Sequence, residues 1–143
     1  MIKSLRCKRV PGAGRTRGGC NVSAEVFDWR QPFTGEPFDV VVACDVLYDA
    51  SAVTPLASRL PEMLSRSDDS QLLLTDMPRR TPALRRRFME ELAAVDGDMM
   101  VEMNRIVGAA ELPVCEEAAD VQLVVLRRRQ GGETVGLPLS SVV

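Results

Sequence analysis

Short apolar runs alternate along the chain with stretches of helical periodicity, and that alternation sets the expectation for the fold. Residues 21–27 alternate weakly and end in Val26-Phe27, which suits a short strand. A loop with two prolines and a glycine follows at 31–37. Residues 38–43 are apolar except for Asp39, β-branched and few, the pattern of a strand buried on both faces of a parallel sheet. Asp49 or Ser51 can then cap a helix whose apolar positions are Val53, Leu56, Leu60, Met63 and Leu64. Pro55 is tolerated in a first turn, whereas Pro61 removes an interior hydrogen bond and predicts a kink or two short pieces. After a polar turn at 65–70, residues 71–75 read as the next buried strand.

A second helix is better specified. Thr81 is a good N-cap and Pro82 occupies the favoured first position. Leu84, Phe88, Leu92 and Val95 fall on one face, Arg86–Glu90 and Arg87–Glu91 form i,i+4 pairs on another, and Gly97 can end the helix. Residues 99–107 and 121–126 read as two strands with no helix between them. The order is strand, strand, helix, strand, helix, strand, strand. It predicts an α/β fold in which parallel strands end in an antiparallel edge. No internal repeat or low-complexity segment interrupts it.

At 143 residues and 45% hydrophobic the chain is one domain in size, with enough apolar surface for a core. No apolar run is long enough to span a bilayer, and no secretory leader opens the chain, so an intracellular, cytoplasmic protein without a membrane partner is expected. Four scattered cysteines and no histidine argue against zinc, disulfides and a His-assisted nucleophile; no metal site is expected. Residues 1–20 carry six basic side chains and no acidic one, leaving 12 basic against 20 acidic in the rest. Such a head can touch nucleic acid or direct a protein to an organelle, but a solvated, disordered tail is the commoner outcome. The expected organisation is therefore a basic head at 1–20, a domain at 21–128 and a loose tail at 129–143.

Ligands of open α/β sheets bind beyond the carboxyl ends of the strands. Asp28 and Trp29 follow the first strand, Cys44, Asp45 and Tyr48 the second, and Asp76 and Arg79 the third, with the only Trp and only Tyr of the chain among them. Three strands delivering carboxylates to one edge would suit a planar heterocycle beside Trp29 and a cationic substrate. The sequence Phe38-Asp39-Val40-Val41-Val42-Ala43-Cys44-Asp45-Val46-Leu47-Tyr48 resembles the fourth strand and DxxY motif of methyltransferase family 16, the seven-strand protein methyltransferases that include many lysine-modifying enzymes. Phe27-Asp28-Trp29 is similar to that family's segment ending in a tryptophan. The stretch from Leu72 through Asp76-Met77-Pro78-Arg79-Arg80-Thr81 to Arg87-Phe88 is similar to its fifth strand and next helix.

The resemblance covers about residues 21–128 and implies the C-terminal half of a Rossmann-like class I methyltransferase sheet. It implies S-adenosylmethionine (SAM) as cofactor and a protein substrate with a lysine acceptor. Asp45 would orient the lysine and Tyr48 shape its channel. Trp29 would lie near the adenine, Asp28 hydrogen-bond its amine, and Ala43 and Cys44 stand beside the cofactor. Each has a plainer alternative: Asp45 as a helix cap, Tyr48 and Trp29 as packing, Cys44 as a small packing residue, and Asp76 and Arg79 as loop and cap residues.

The family's SAM loop is a glycine-rich turn after a buried strand. Gly12, Gly14, Gly18 and Gly19 are a poor match, because Lys8-Arg9-Val10-Pro11 is not a buried strand and Gly12 lies only 33 residues before Asp45. The chain is thus expected to lack that loop and to be inactive alone as a methyltransferase, with an exposed apolar edge on the strand beginning near Phe38. A non-catalytic interaction module derived from a methyltransferase is the alternative.

Overall fold

The computed structural model describes residues 2–9, 20–77, 82–111 and 120–129. It divides into two compact units, Met1–Pro32 and Phe33–Val143. Thr81, Arg79 and the tail from 130, all singled out in the sequence, lie outside the described residues.

In the first unit, β1 (Ile2–Arg9) and β2 (Cys20–Phe27) pair antiparallel from Ile2↔Phe27 to Arg9↔Cys20. The expected disordered head therefore contributes a full strand. A backbone ladder satisfies N–H and C=O groups whatever the side-chain charge, which is why six basic residues gave no hint of it. The glycine-bearing residues 10–19 lie between two antiparallel partners, not between a strand and a helix.

The second unit runs β3 (Val40–Cys44), α1 (Ala50–Met63), β4 (Gln71–Asp76), α2 (Pro82–Val95), β5 (Met99–Val107), a 3-10 turn at Ala109–Glu111 and β6 (Val121–Arg128). Its sheet has the order β3-β4-β6-β5. β3 and β4 are parallel, and β6 is antiparallel to both its neighbours. The last two strands thus form the expected antiparallel end, with β6 inserted beside β4 and β5 left at the margin.

Val41 and Ala43 of β3 share a face with Leu72 and Leu74 of β4 and with Val124 and Leu126 of β6, and all six are buried. Asp76 lies on that face too, and α2 reaches it through Arg85. α1 is tied to α2, since Arg87 donates to the Thr54 hydroxyl (3.1 Å) and to the Ala50 carbonyl (3.5 Å). Both helices therefore cover one face of the sheet. This is the right arrangement for burying the apolar stripe Val53, Leu56, Ala57 and Leu60 of α1 against the strands.

β3 departs from the expected strand buried on both faces. Its burial alternates, with Val40 54% and Val42 64% exposed. The cause is that α1 and α2 cover the face shared by Val41 and Ala43, while Val40 and Val42 point to the opposite face, which neither helix covers. The strand is also marginal in the sheet. The Asp39 carbonyl accepts from the Gln71 N–H and the Asp45 N–H donates to the Thr75 carbonyl, both at 2.8 Å. In a parallel pair this directs the odd-numbered residues' backbone groups to β4 and turns those of Val40, Val42 and Cys44 away from it. Among the described residues no strand pairs with that outer edge.

α1 is one helix, so of the kink or two short pieces expected from Pro61 the second does not occur. Pro61 is the third-last residue of the helix, so only the last turn loses a bond, and Leu64 leaves the helix with its N–H on the Pro61 carbonyl (3.2 Å). The orphan carbonyls there are taken by Arg128. Its guanidinium donates to the carbonyls of Pro61 (2.7 Å), Leu64 (3.2 Å) and Ser65 (2.8 Å) and to Asp96 (2.9 Å). Pro55 lies in the second turn, also inside the helix.

Candidate functional site

The turn after β3 is built around Asp45, the one non-glycine residue with positive φ (48°) among the described residues. Aspartate tolerates the left-handed region better than most residues because its short polar side chain bonds locally. Two features pin it there. The Asp45 N–H donates to the Thr75 carbonyl across the parallel pair (2.8 Å), and the next two residues, Val46 and Leu47, are buried. The chain then surfaces again, leaving Tyr48 62% exposed. Asp45 and Tyr48 therefore stand on either side of two apolar anchors, both open to solvent, while Ala43 is buried and Cys44 is an exposed free thiol.

The competing role for Asp45, capping α1, belongs to Asp49. Its carboxylate accepts from the Ser51 N–H (2.9 Å) and the Ser51 hydroxyl (2.7 Å), in extended backbone at the N-cap. Asp45 precedes the helix by a full turn, and the N-cap position is held by Asp49.

At the end of β4 the structure corrects the reading of Asp76 as a loop or cap residue. Asp76 is the last residue of the strand, 5% exposed, and holds Arg85 of α2 in a two-bonded ion pair: Nε to Oδ2 at 3.0 Å and Nη2 to Oδ1 at 2.7 Å. Arg85 itself is 5% exposed. Sequence reasoning missed it, although a signal was there. Arg85, Phe88, Met89 and Leu92 are spaced i, i+3, i+4, i+7, and these are the buried residues of α2. The expected face, Leu84-Phe88-Leu92-Val95, shares Phe88 and Leu92 with this one but departs at its ends, where Leu84 is half-buried and Val95 is 53% exposed.

Asp28 and Trp29 were expected at the same sheet edge as Asp45 and Asp76. They are not on that sheet: β2 pairs with β1, and Asp28 and Trp29 follow it in the first unit. Asp28 closes a turn there, its carboxylate accepting from the Arg30 N–H (3.0 Å) and its carbonyl from the Gln31 N–H (2.8 Å). Trp29 is half-buried. Asp45 and Asp76 alone share an edge among the predicted carboxylates. Among the described residues no cluster of three or more His, Cys, Asp or Glu could hold a metal ion, and no helix is long and apolar enough to cross a membrane.

A parallel strand pair with its crossover helix, continued into an antiparallel end and carrying an exposed carboxylate in a constrained turn at the carboxyl edge, is part of a Rossmann-like methyltransferase fold. The family model described as lysine methyltransferase matches residues 15–95, more than half of the chain, and the chain belongs to that family. Neither the curated proteins nor the solved structures yield a match.

Proposed function

We propose that the chain carries the substrate-facing side of a SAM-dependent protein-lysine methyltransferase site, with Asp45 and Tyr48 at its centre. The observation that carries this reading is the state of Asp45: exposed at the carboxyl edge of the sheet, with its backbone at φ 48° and its N–H on the Thr75 carbonyl. An exposed carboxylate fixed by its backbone accepts hydrogen bonds from an ammonium and aims it, although it is too weak a base to deprotonate lysine by itself. The Tyr48 ring, two anchored residues further on, forms a wall for an aliphatic lysine stem.

SAM, when bound, supplies an electrophilic methyl group on a sulfonium. Of the residues that would hold it, Ala43 and Cys44 end β3 beside the Asp45 turn. Asp28 and Trp29, which the family resemblance would set at the adenine, belong to the other compact unit and are given no place in this site. The fit is incomplete. A strand leading into a glycine-rich turn and helix, needed for the methionine part, has no counterpart in the described sheet, and the outer edge of β3 is where a parallel strand would join it. The chain by itself is therefore inactive, and a parallel strand bearing such a turn, from a longer form or from another chain, completes the cofactor side.

The second reading, a non-catalytic interaction module, is favoured by the same open edge, which offers the backbone groups of Val40, Val42 and Cys44 for strand addition. Titration calorimetry separates the two. Saturable SAM heat is expected only when the chain is joined to a family segment carrying the strand and glycine-rich turn. No heat in either form would overturn the enzyme reading and leave the module.

A further inference from the structure

The carbonyl that holds Asp45 belongs to the peptide unit between Thr75 and Asp76. That plane is fixed on one side by the β-ladder and on the other by whatever fixes Asp76. Asp76 sits opposite Gln122 of β6, and its carboxylate is gripped by both arms of the Arg85 guanidinium. Arg85 also approaches the next carbonyl, that of Met77, at 3.5 Å. A buried ion pair is weak evidence of stabilisation, because removing both charges from water offsets most of their attraction. A two-bonded pair does, however, fix direction, since the planar guanidinium and carboxylate meet in one geometry. Asp45 needs such a fixed acceptor: its left-handed backbone is strained for a residue with a Cβ, and the surroundings must hold it there.

We propose that Arg85 is a positioning residue for the Asp45 turn, acting through Asp76 and the Thr75 carbonyl. This assignment takes its functional meaning from the methyl-acceptor reading of Asp45, but the mechanical coupling exists without it. Arg85 touches neither acceptor nor cofactor in this scheme. It orients the peptide that orients the carboxylate.

The test is backbone NMR on the full chain, read at the Asp45 amide by hydrogen exchange and by the three-bond HN–Hα coupling that reports φ. Arg85→Met is expected to speed Asp45 exchange at least about tenfold relative to Leu60 inside α1 and to move the coupling toward an averaged value. Arg85→Lys, which restores the charge and one bond, should recover part of the protection. Arg128→Met breaks the clamp at the far end of the sheet and should leave Asp45 exchange and coupling at their wild-type values. Where Arg85→Met does not fold, the neutral pair Asp76→Asn with Arg85→Gln gives the same reading without a buried lone charge. Unchanged Asp45 exchange and coupling, or equal loss at Asp45 and Leu60 in both Arg85→Met and Arg128→Met, would overturn the proposal. No cofactor or substrate enters this measurement, so its outcome is separate from that of the SAM titration.

Discussion

Each end of the four-stranded sheet is tied by one arginine, and the two are used differently. At the amino end of β4, Arg128 distributes its donors over the carbonyls of Pro61, Leu64 and Ser65 and over Asp96, joining the exit of α1 to the exit of α2. At the carboxyl end, Arg85 gives both arms to the single carboxylate of Asp76. The first arrangement replaces capping that Pro61 and the helix terminus leave undone. The second lies one peptide from the turn that presents Asp45. Tying backbone carbonyls secures a fold, whereas a buried charge pair beside an exposed carboxylate secures a direction.

The largest expected difference between the two ends is in stability. Arg85→Met strands the Asp76 carboxylate in the interior and should cost about 3–5 kcal/mol by denaturant unfolding. Replacing both partners, as Asp76→Leu with Arg85→Met, should return most of that, because no lone charge remains. A double variant as unstable as the single would show that the pair itself, and not the burial of one charge, sustains the fold. Arg128→Met should cost about 2 kcal/mol, from charge-assisted bonds lost at a half-buried clamp. Its effect should appear as fraying of the last turn of α1 in amide exchange.

Smaller effects follow at single positions. Asp45→Gly relieves the left-handed backbone and should change stability by less than about 1 kcal/mol, in the stabilising direction, while removing the carboxylate. A loss of several kcal/mol would mean that the Asp45 side chain is itself structural. The smallest concerns Glu91, whose carboxyl lies below its ordinary value of 4.5 chiefly through the Thr54 hydroxyl, with burial opposing and the Arg87 hydrogen bond and charge assisting. A carboxyl lowered by folding contributes stability above its ordinary value and loses it as pH falls through the lowered one. Glu91→Gln should therefore cost about 0.5 kcal/mol or less at neutral pH, and its difference from wild type should fade as pH falls below about 4.5.

Much of this fold was legible because local rules and the sheet agree. The residues predicted for β5 coincide with Met99–Val107, β4 runs one residue beyond its prediction to Asp76, and Asp49 caps α1 as one of its two candidates. Misreadings arose where tertiary position overrides pattern. The apolar run of β3 predicts burial on both faces, but both helices cover the same face of the sheet, so Val40 and Val42 on the other are exposed. β1 was hidden by its charge, and Pro61 was judged as though it lay mid-helix.

The candidate site was legible in part. Asp45 and Tyr48 were visible as a spaced pair after a strand, and the left-handed backbone of Asp45, with the N-cap held by Asp49, adds a physical reason for singling them out. Asp76 looked like a loop residue because its partner, nine residues away, is an arginine on an apolar stripe, and hydrophobic periodicity counts such a residue as polar. Asp28 and Trp29 were grouped with Asp45 on the family resemblance and on the expectation that strands adjacent in sequence share a sheet, whereas β2 pairs with β1.

The role of Asp45 is best decided by following labelled methyl transfer from SAM to protein lysine, using the SAM-competent form and comparing wild type with Asp45→Asn. The expected result is SAM affinity within about twofold of wild type and transfer slowed by about a hundredfold or more, because the acceptor ammonium is no longer aimed. Transfer at the wild-type rate by Asp45→Asn, with SAM bound normally, would contradict the placement of the acceptor at this turn.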